Sequence, residues 1–342
     1  MTDYEKLNEL IENGKKKQYE LIGKEFKALA PSTLKVSNTN VNKMFRELNV
    51  KTDILKLDWI KNFKLMIKSY LNKMNPNTRK NYLSVVISLL HNDYEKNKDL
   101  INDFVKESKL NFTEINLHTK SDKKCDDDRI LTLEEYDNFI KKLSKNPINQ
   151  MEYVMFMILR FIPMRNELAT LKYIKNKDYE KLTSIEKNST NWLLEKSRSL
   201  EIIRNKYKTS NYHGKIITPI KQPLKSVLVK YIKDNEIESN NNLFINKTKT
   251  GTGEVLSENA LTQKLAYISK GILGKPLTTS SIFKILCCDA VKDYGDNKLI
   301  NNEIIKMLTD YGTMRGTSIK QIIQYYIYGN KIGDNLSETS DE

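Results

Sequence analysis

The sequence predicts a mainly α-helical chain with one small antiparallel β-sheet, split between a helical first domain and a larger second domain that carries the sheet. Three observations lead there. Apolar residues recur with a period near 3.6 through much of the first and last thirds. A central stretch instead holds short β-branched and aromatic runs separated by polar turns. Between these regions a polar segment, 113–129, loses its periodicity and reads as an interdomain linker. With 342 residues, 39% of them hydrophobic, the chain is long enough to bury two cores.

The elements follow in order. Roughly the first 30 residues can form a separate N-terminal helix, a boundary good to a few residues. From Ile54 to Leu71, the residues Ile60, Phe63, Ile67 and Leu71 keep helical spacing, and Lys61, Lys64 and Lys68 form a cationic stripe beside them. Asn75 can cap the next helix, Pro76 suits its first position, and Tyr82, Val85, Val86, Leu89 and Leu90 continue the period. The helical domain therefore spans 1–112 and the second domain 130–330, with an acidic tail, expected to be mobile, at 331–342. In the second domain Thr132 with Glu135 makes a capping box, and an apolar helix covers Tyr153 to Phe161. The runs NWLLE, EIIRNKY and GKIITPI within 191–220 predict the strands. Helical patterns return at Leu224–Ile232, Asn259–Ile272, Ser280–Val291, Asn302–Leu308 and Ser318–Tyr328.

Charge narrows the partner. The 57 Lys+Arg against 43 Asp+Glu leave a net +14, which favours a polyanion; ribosomal contacts or an anionic membrane surface would suit the same balance. The excess is concentrated, with 11 Lys+Arg and 3 Asp+Glu between Lys35 and Lys80. Within it Asn77, Thr78, Arg79 and Lys80 sit at a helix N-terminus, whose free N–H groups favour anions, so these residues with Lys61, Lys64 and Lys68 are candidate DNA contacts. The alternative for each single lysine is a solvated face. Three cysteines, Cys125, Cys287 and Cys288, make no disulfide framework, and no apolar run has signal-peptide or membrane-span length, so a soluble intracellular protein is expected. His91, His118 and His213 lack metal-ligand spacing, and the glycines of NKTKTGTGEV lack nucleotide-loop spacing; no metal and no cofactor is expected.

Several residues can carry chemistry. Arg165 lies at the junction between the apolar helix and the next segment, where its paired N–H donors could hold a phosphate or form an ion pair with Glu167. Lys208 lies near the end of the second strand run, in a stretch from Arg204 to Lys230 with seven Lys+Arg and no acid. A lysine there could protonate a departing oxygen, with Lys206 and Lys215 as rivals and solvent exposure as the plain alternative. Tyr325 and Tyr326 end a helix; a phenol there needs surrounding cations to become a nucleophile, which Arg165, Lys208, Lys284 and Arg315 can supply.

In their order these segments resemble the tyrosine recombinases, or phage-type integrases, with type IB topoisomerases as relatives. The family's first arginine is followed by a glutamate and leucines, as in MRNELATL; a lysine sits in a β-hairpin, as in YKTSNYHGKIITPI. A Gly-His-Ser tract ten residues before the tyrosine corresponds to Gly316, which selects Tyr326 over Tyr325. The resemblance spans roughly residues 35 to 330, with the first domain as the DNA core-binding domain. It departs from the family where the His-x-x-Arg box would fall: LTTSSIFKIL offers Ser281 and Lys284, and Thr317 replaces the later histidine. Arg315 could supply the missing guanidinium; its alternative is a surface arginine in a loop.

The resemblance implies a site-specific recombinase or integrase that cleaves and rejoins double-stranded DNA through a 3′-phosphotyrosyl link, without metal or nucleotide, as a dimer or tetramer on DNA. Tyr326, Arg165, Lys208, Lys284 and Thr317 would be its catalytic set. The altered box keeps a second reading open, a catalytically impaired DNA-binding protein on the same scaffold, serving genome packaging, structure or transcription. A monomeric, topoisomerase-like relaxing enzyme is a third.

Overall fold

A computed structural model describes residues 2–125, 131–146, 150–247, 253–291 and 302–325. The chain divides into two compact units, Met1–Asp122 and Lys123–Glu342.

The first unit is helical throughout: α1 (Asp3–Leu21), α2 (Pro31–Glu47), α3 (Asp58–Asn62), α4 (Lys64–Asn72), α5 (Pro76–Leu90) and α6 (Tyr94–Cys125). The α5 helix starts as its sequence predicts, with Asn75 Oδ1 accepting from Thr78 N at 2.9 Å. Eight of its residues, Tyr82, Leu83 and Val85 to Leu90, are buried, so it forms the axis of the core. Burial overrides the weak helix propensity of its β-branched run. Gly14 lets α1 cross α5 closely: a methyl group at that position would stand 1.8 Å from Ser88 O.

Two expectations change here. The single helix expected through Ile54–Leu71 is broken at Phe63 (φ −104°, ψ 15°). The break lets Trp59 and Ile60 on α3 and Ile67 and Leu71 on α4 enter one core. The expected linker is helical as far as Cys125, because α6 continues through it. Polarity removes the apolar period from this stretch, but Glu, Lys and Leu remain good helix formers.

The second unit opens with α7 (Leu133–Ser144) and α8 (Gln150–Phe161), then a 3-10 turn over Asn166–Thr170. The predicted capping box of α7 is present, with Thr132 N donating to Glu135 Oε2 at 2.7 Å and Glu135 N to Thr132 Oγ1 at 3.1 Å. There follow β1 (Lys172–Lys175), α9 (Asn176–Tyr179), α10 (Ser184–Ser189), β2 (Trp192–Glu195), β3 (Leu200–Arg204), α11 (Ser210–His213) and β4 (Ile216–Ile220). The remainder is α12 (Leu224–Asp234), the hairpin β5 (Ile245–Lys247) and β6 (Gly253–Val255), α13 (Glu258–Leu273), α14 (Thr279–Val291), α15 (Asn302–Arg315) and α16 (Ile319–Tyr325).

The main sheet has the order β1-β2-β3-β4. The predicted β2, β3 and β4 pair antiparallel, but β1 lies parallel to β2, so the sheet is mixed rather than antiparallel. The helical connection through α9 and α10 returns the chain in the same direction, as a parallel pair requires. Period-two alternation sends Leu193, Leu200, Ile202 and Ile220 into the main core with α7, α8 and α12, and Trp192, Leu194 and Ile203 into a smaller cluster with Ile174. A third cluster joins α14, α15 and α16 through Phe283, Cys287, Leu308 and Ile322. Cys287 is fully buried there, and burial raises its thiol pKa far above the usual range. Among the described residues no helix is long and apolar enough to cross a membrane.

Candidate functional site

Three arginines and the lysine hairpin gather at the C-terminal end of α15. Arg165 follows α8 and is half-buried; its Nε donates to Arg315 O at 3.3 Å and its Nη2 to Gly316 O at 3.4 Å. These bonds are long and engage only two of the roughly five N–H groups a guanidinium carries, which leaves donors for an anion. The β3–β4 connection reaches the same turn. Thr209 Oγ1 donates to Gly316 O at 2.7 Å, and Tyr207, whose hydroxyl closes the hairpin on Gly214 O at 2.7 Å, packs beside Gly316. Lys208 lies between these two residues and is exposed, as are Lys206 and Lys215 on the same connection. Only glycine fits position 316: its φ is +69°, and an added methyl carbon would stand 2.7 Å from both Thr209 Oγ1 and Tyr207 Cε2.

Arg315 is not a surface arginine. It ends α15 with 1% exposure, and its Nη1 donates to Met164 O at 2.8 Å and Thr279 O at 3.0 Å, its Nη2 to Ser280 Oγ at 3.0 Å. Its plane lies 4.7 Å from the Phe283 ring centroid. The two arginines are reciprocal: Arg165 donates to the backbone of Arg315, and Arg315 to the residue before Arg165. Thr317 is buried and donates to Gln321 Oε1 at 2.7 Å. Ser281, the third residue of α14, completes a capping box with Thr278: its Oγ accepts from Thr278 N at 2.6 Å while its own N donates to Thr278 Oγ1 at 3.1 Å. Lys284 follows Phe283 on α14 and is half-buried. Tyr325 ends α16, and Tyr326 lies outside the described residues.

Sequence reasoning missed Arg204 and the part played by Glu167. Arg204 is fully buried at the end of β3, where burial lowers its pKa and the Glu167 carboxylate, 3.4 Å away, opposes that shift. The available signal was the position itself, a charge in phase with Leu200 and Ile202 on a core-facing strand.

The cationic stripe of the first unit is largely paired within that unit. Asp103 meets Lys64 at 2.7 Å and Lys68 at 3.0 Å, and Lys68 also meets Glu107 at 3.2 Å. Arg79 closes the end of α4, donating to Leu71 O at 3.1 Å, Met74 O at 3.1 Å and Glu114 Oε2 at 2.8 Å. Lys61, Asn77 and Lys80 remain exposed, and Thr78 is half-buried. Hydrogen bonds from Lys64 and then Lys68 hold the Asp103 carboxyl below its ordinary pKa, while the bond to Asp103 raises that of Lys68. The carboxylate's stabilisation is full above its unfolded pKa and is lost as the pH falls through the depressed folded value; that of Lys68 is lost only as the pH rises through its raised value. Asp103→Asn is therefore expected to destabilise the unit near neutrality by about 0.5–1 kcal/mol, this being a partly exposed network. Denaturant unfolding should show the difference shrinking as the pH falls below the ordinary carboxylate range and Asp103 itself takes up a proton. An equal difference at pH 2 and pH 7 would refute this account.

A helical unit and a second unit with a small mixed sheet among helices define a fold class, that of the tyrosine recombinases. In particular, the chain is similar to the Tn1549 transposon integrase in complex with circular intermediate DNA, at TM-score 0.52 and 16% identity over 97% of this chain and 98% of that one. A second Tn1549 integrase structure, with transposon right end DNA, gives TM-score 0.48 and 14% identity over 97% and 98% of the two chains. The XerA recombinase gives 0.38 and 12% over 98% and 99%. At these identities the likeness is one of fold. No protein-family model matches the sequence, and no curated protein does.

Proposed function

We propose that this chain is a site-specific DNA recombinase or integrase that breaks and rejoins duplex DNA through a 3′-phosphotyrosyl intermediate. One observation carries the reading: Arg165 and Thr209, the residue after Lys208, both bond Gly316 O, in the turn that leads to the helix before Tyr326. Arg165 and the connection that carries Lys208 thus meet at one turn, which supports a reading in which a phosphate clamp, a proton donor and a phenol act together. In this scheme the Tyr326 phenol, its proton passed to solvent, attacks phosphorus through its oxygen and the bond to the 5′ oxygen breaks. Arg165 and Lys284 hold the non-bridging oxygens, Lys208 protonates the leaving oxygen, and Thr317 gives at most one hydrogen bond. Attack by the freed 5′-hydroxyl reverses the step on a partner strand. Double-stranded DNA is the partner, gripped by both domains in a dimer or tetramer, inside the cell. The likeness in fold to a DNA-bound integrase supports that choice.

The test is incubation with a nicked suicide duplex. A covalent adduct resistant to SDS should form and disappear in Tyr326→Phe. An adduct kept in Tyr326→Phe and lost in Tyr325→Phe would move the nucleophile by one residue. DNA affinity should fall steeply with salt as counterions are released, and a flat response would remove the clamp.

A second reading, a DNA-binding protein that has lost strand cleavage, is favoured by the engagement of Ser281 in a helix cap and of Arg315 in the interior. Salt-sensitive DNA binding without an adduct from the unaltered chain would select it.

A further inference from the structure

Arg204 occupies the end of β3 where alternation calls for an apolar residue. Leu200 and Ile202 precede it on the face that meets the main core, its register partner Ile216 is apolar and buried, and its own side chain has 0% exposure. The guanidinium bridges three segments. Nη1 lies 3.4 Å from Glu167 Oε1, Nη2 lies 3.5 Å from Thr313 O, and the plane stands 5.3 Å from the Tyr207 ring centroid. Each contact belongs to the candidate site. Glu167 also accepts from the backbone N of Arg165 at 3.3 Å. Thr313 O receives Gly316 N at 3.2 Å, so it sets the glycine turn. Tyr207 is the residue before Lys208 and packs on that turn. Burying a guanidinium is costly, and leucine or methionine would fill the strand end more cheaply. What neither can do is fix a carboxylate, a carbonyl and a ring at once.

We propose that Arg204 is a positioning residue that holds the lysine hairpin, 206–214, in register with Arg165 and the Gly316 turn. Its effect on DNA cleavage rests on the recombinase reading; its effect on the hairpin does not.

Hydrogen exchange and single-turnover adduct formation in the full chain, compared with Arg204→Met and Arg204→Lys, test the two effects separately. The amides of Ser210, Tyr212, His213 and Gly214 all bond carbonyls within the hairpin. In Arg204→Met they should exchange at least about 10-fold faster while the amides of α5 keep their rates. Adduct formation should slow by a similar factor with DNA affinity unchanged, and Arg204→Lys should recover part of both losses. Unchanged hairpin exchange in Arg204→Met overturns the proposal. Should that variant fail to fold, Arg204→Lys decides by the same amides, since one ammonium cannot make all three contacts. Failure of the unaltered chain to form an adduct overturns the recombinase reading alone, and the exchange data still decide the role of Arg204.

Discussion

Replacing Arg165 with alanine is expected to slow formation of the covalent DNA adduct by about 10²- to 10³-fold, a loss of roughly 2.7–4 kcal/mol of transition-state stabilisation typical of one preorganised donor. The folded chain should tolerate the change. Arg165 is half-buried, its bonds to Arg315 O and Gly316 O are 3.3 and 3.4 Å long, and Thr209 still caps Gly316 O at 2.7 Å. Water can replace what is lost there. DNA affinity should change far less than rate, with the salt dependence reduced by about one counterion. Arg165→Lys keeps the charge but not the planar fork, so it should recover only part of the rate. The measurement is single-turnover cleavage of a suicide duplex. A rate within twofold of the unaltered chain would take Arg165 out of the mechanism.

Arg315→Ala should act in the opposite way, on the fold before the chemistry. The change leaves Met164 O and Thr279 O without their guanidinium donor and removes a cation from the face of Phe283. A buried carbonyl left unsatisfied costs about 1–3 kcal/mol, which falls on Met164 O because Thr279 O keeps its helical partner, and the ring contact adds to this, so a loss of about 2–4 kcal/mol is expected. For a unit of this size that lowers the melting temperature by on the order of 10 °C. Thermal unfolding followed by circular dichroism reads it directly. A melting temperature unchanged within 2 °C, together with lost cleavage, would show that Arg315 acts on the phosphate and that its interior bonds are dispensable. Because the guanidinium ties the start of α14 and the residue before Arg165 to the end of α15, any loss of cleavage in this variant needs its melting curve beside it.

These two arginines show where reading the sequence succeeds and where it stops. Asn75, Thr132 with Glu135, and the alternating strand runs are local signals, and the structure carries the caps and strands they predict. The order of an arginine, a lysine hairpin and a Gly-Thr-Ser tract was also legible, and the fold brings these segments together at Gly316. Arg165, Arg204 and Arg315, by contrast, look alike as letters. One is half-buried with donors to spare, one is sealed against Glu167, and one is threaded through the interior. The lysines of the first unit behave similarly: Lys64 and Lys68 looked like a free cationic face until α6 placed Asp103 and Glu107 opposite them.

Local order, then, was written in the amino-acid pattern: periods of 3.6 and two, helix caps, turn residues and the excess of positive charge all act over a few residues or over the whole chain. The partner of each charge, the parallel β1 strand and the helical course of 113–125 were settled only by packing. An ionisable side chain is valued by what lies opposite it, and here that group commonly stands 35 to 151 residues away.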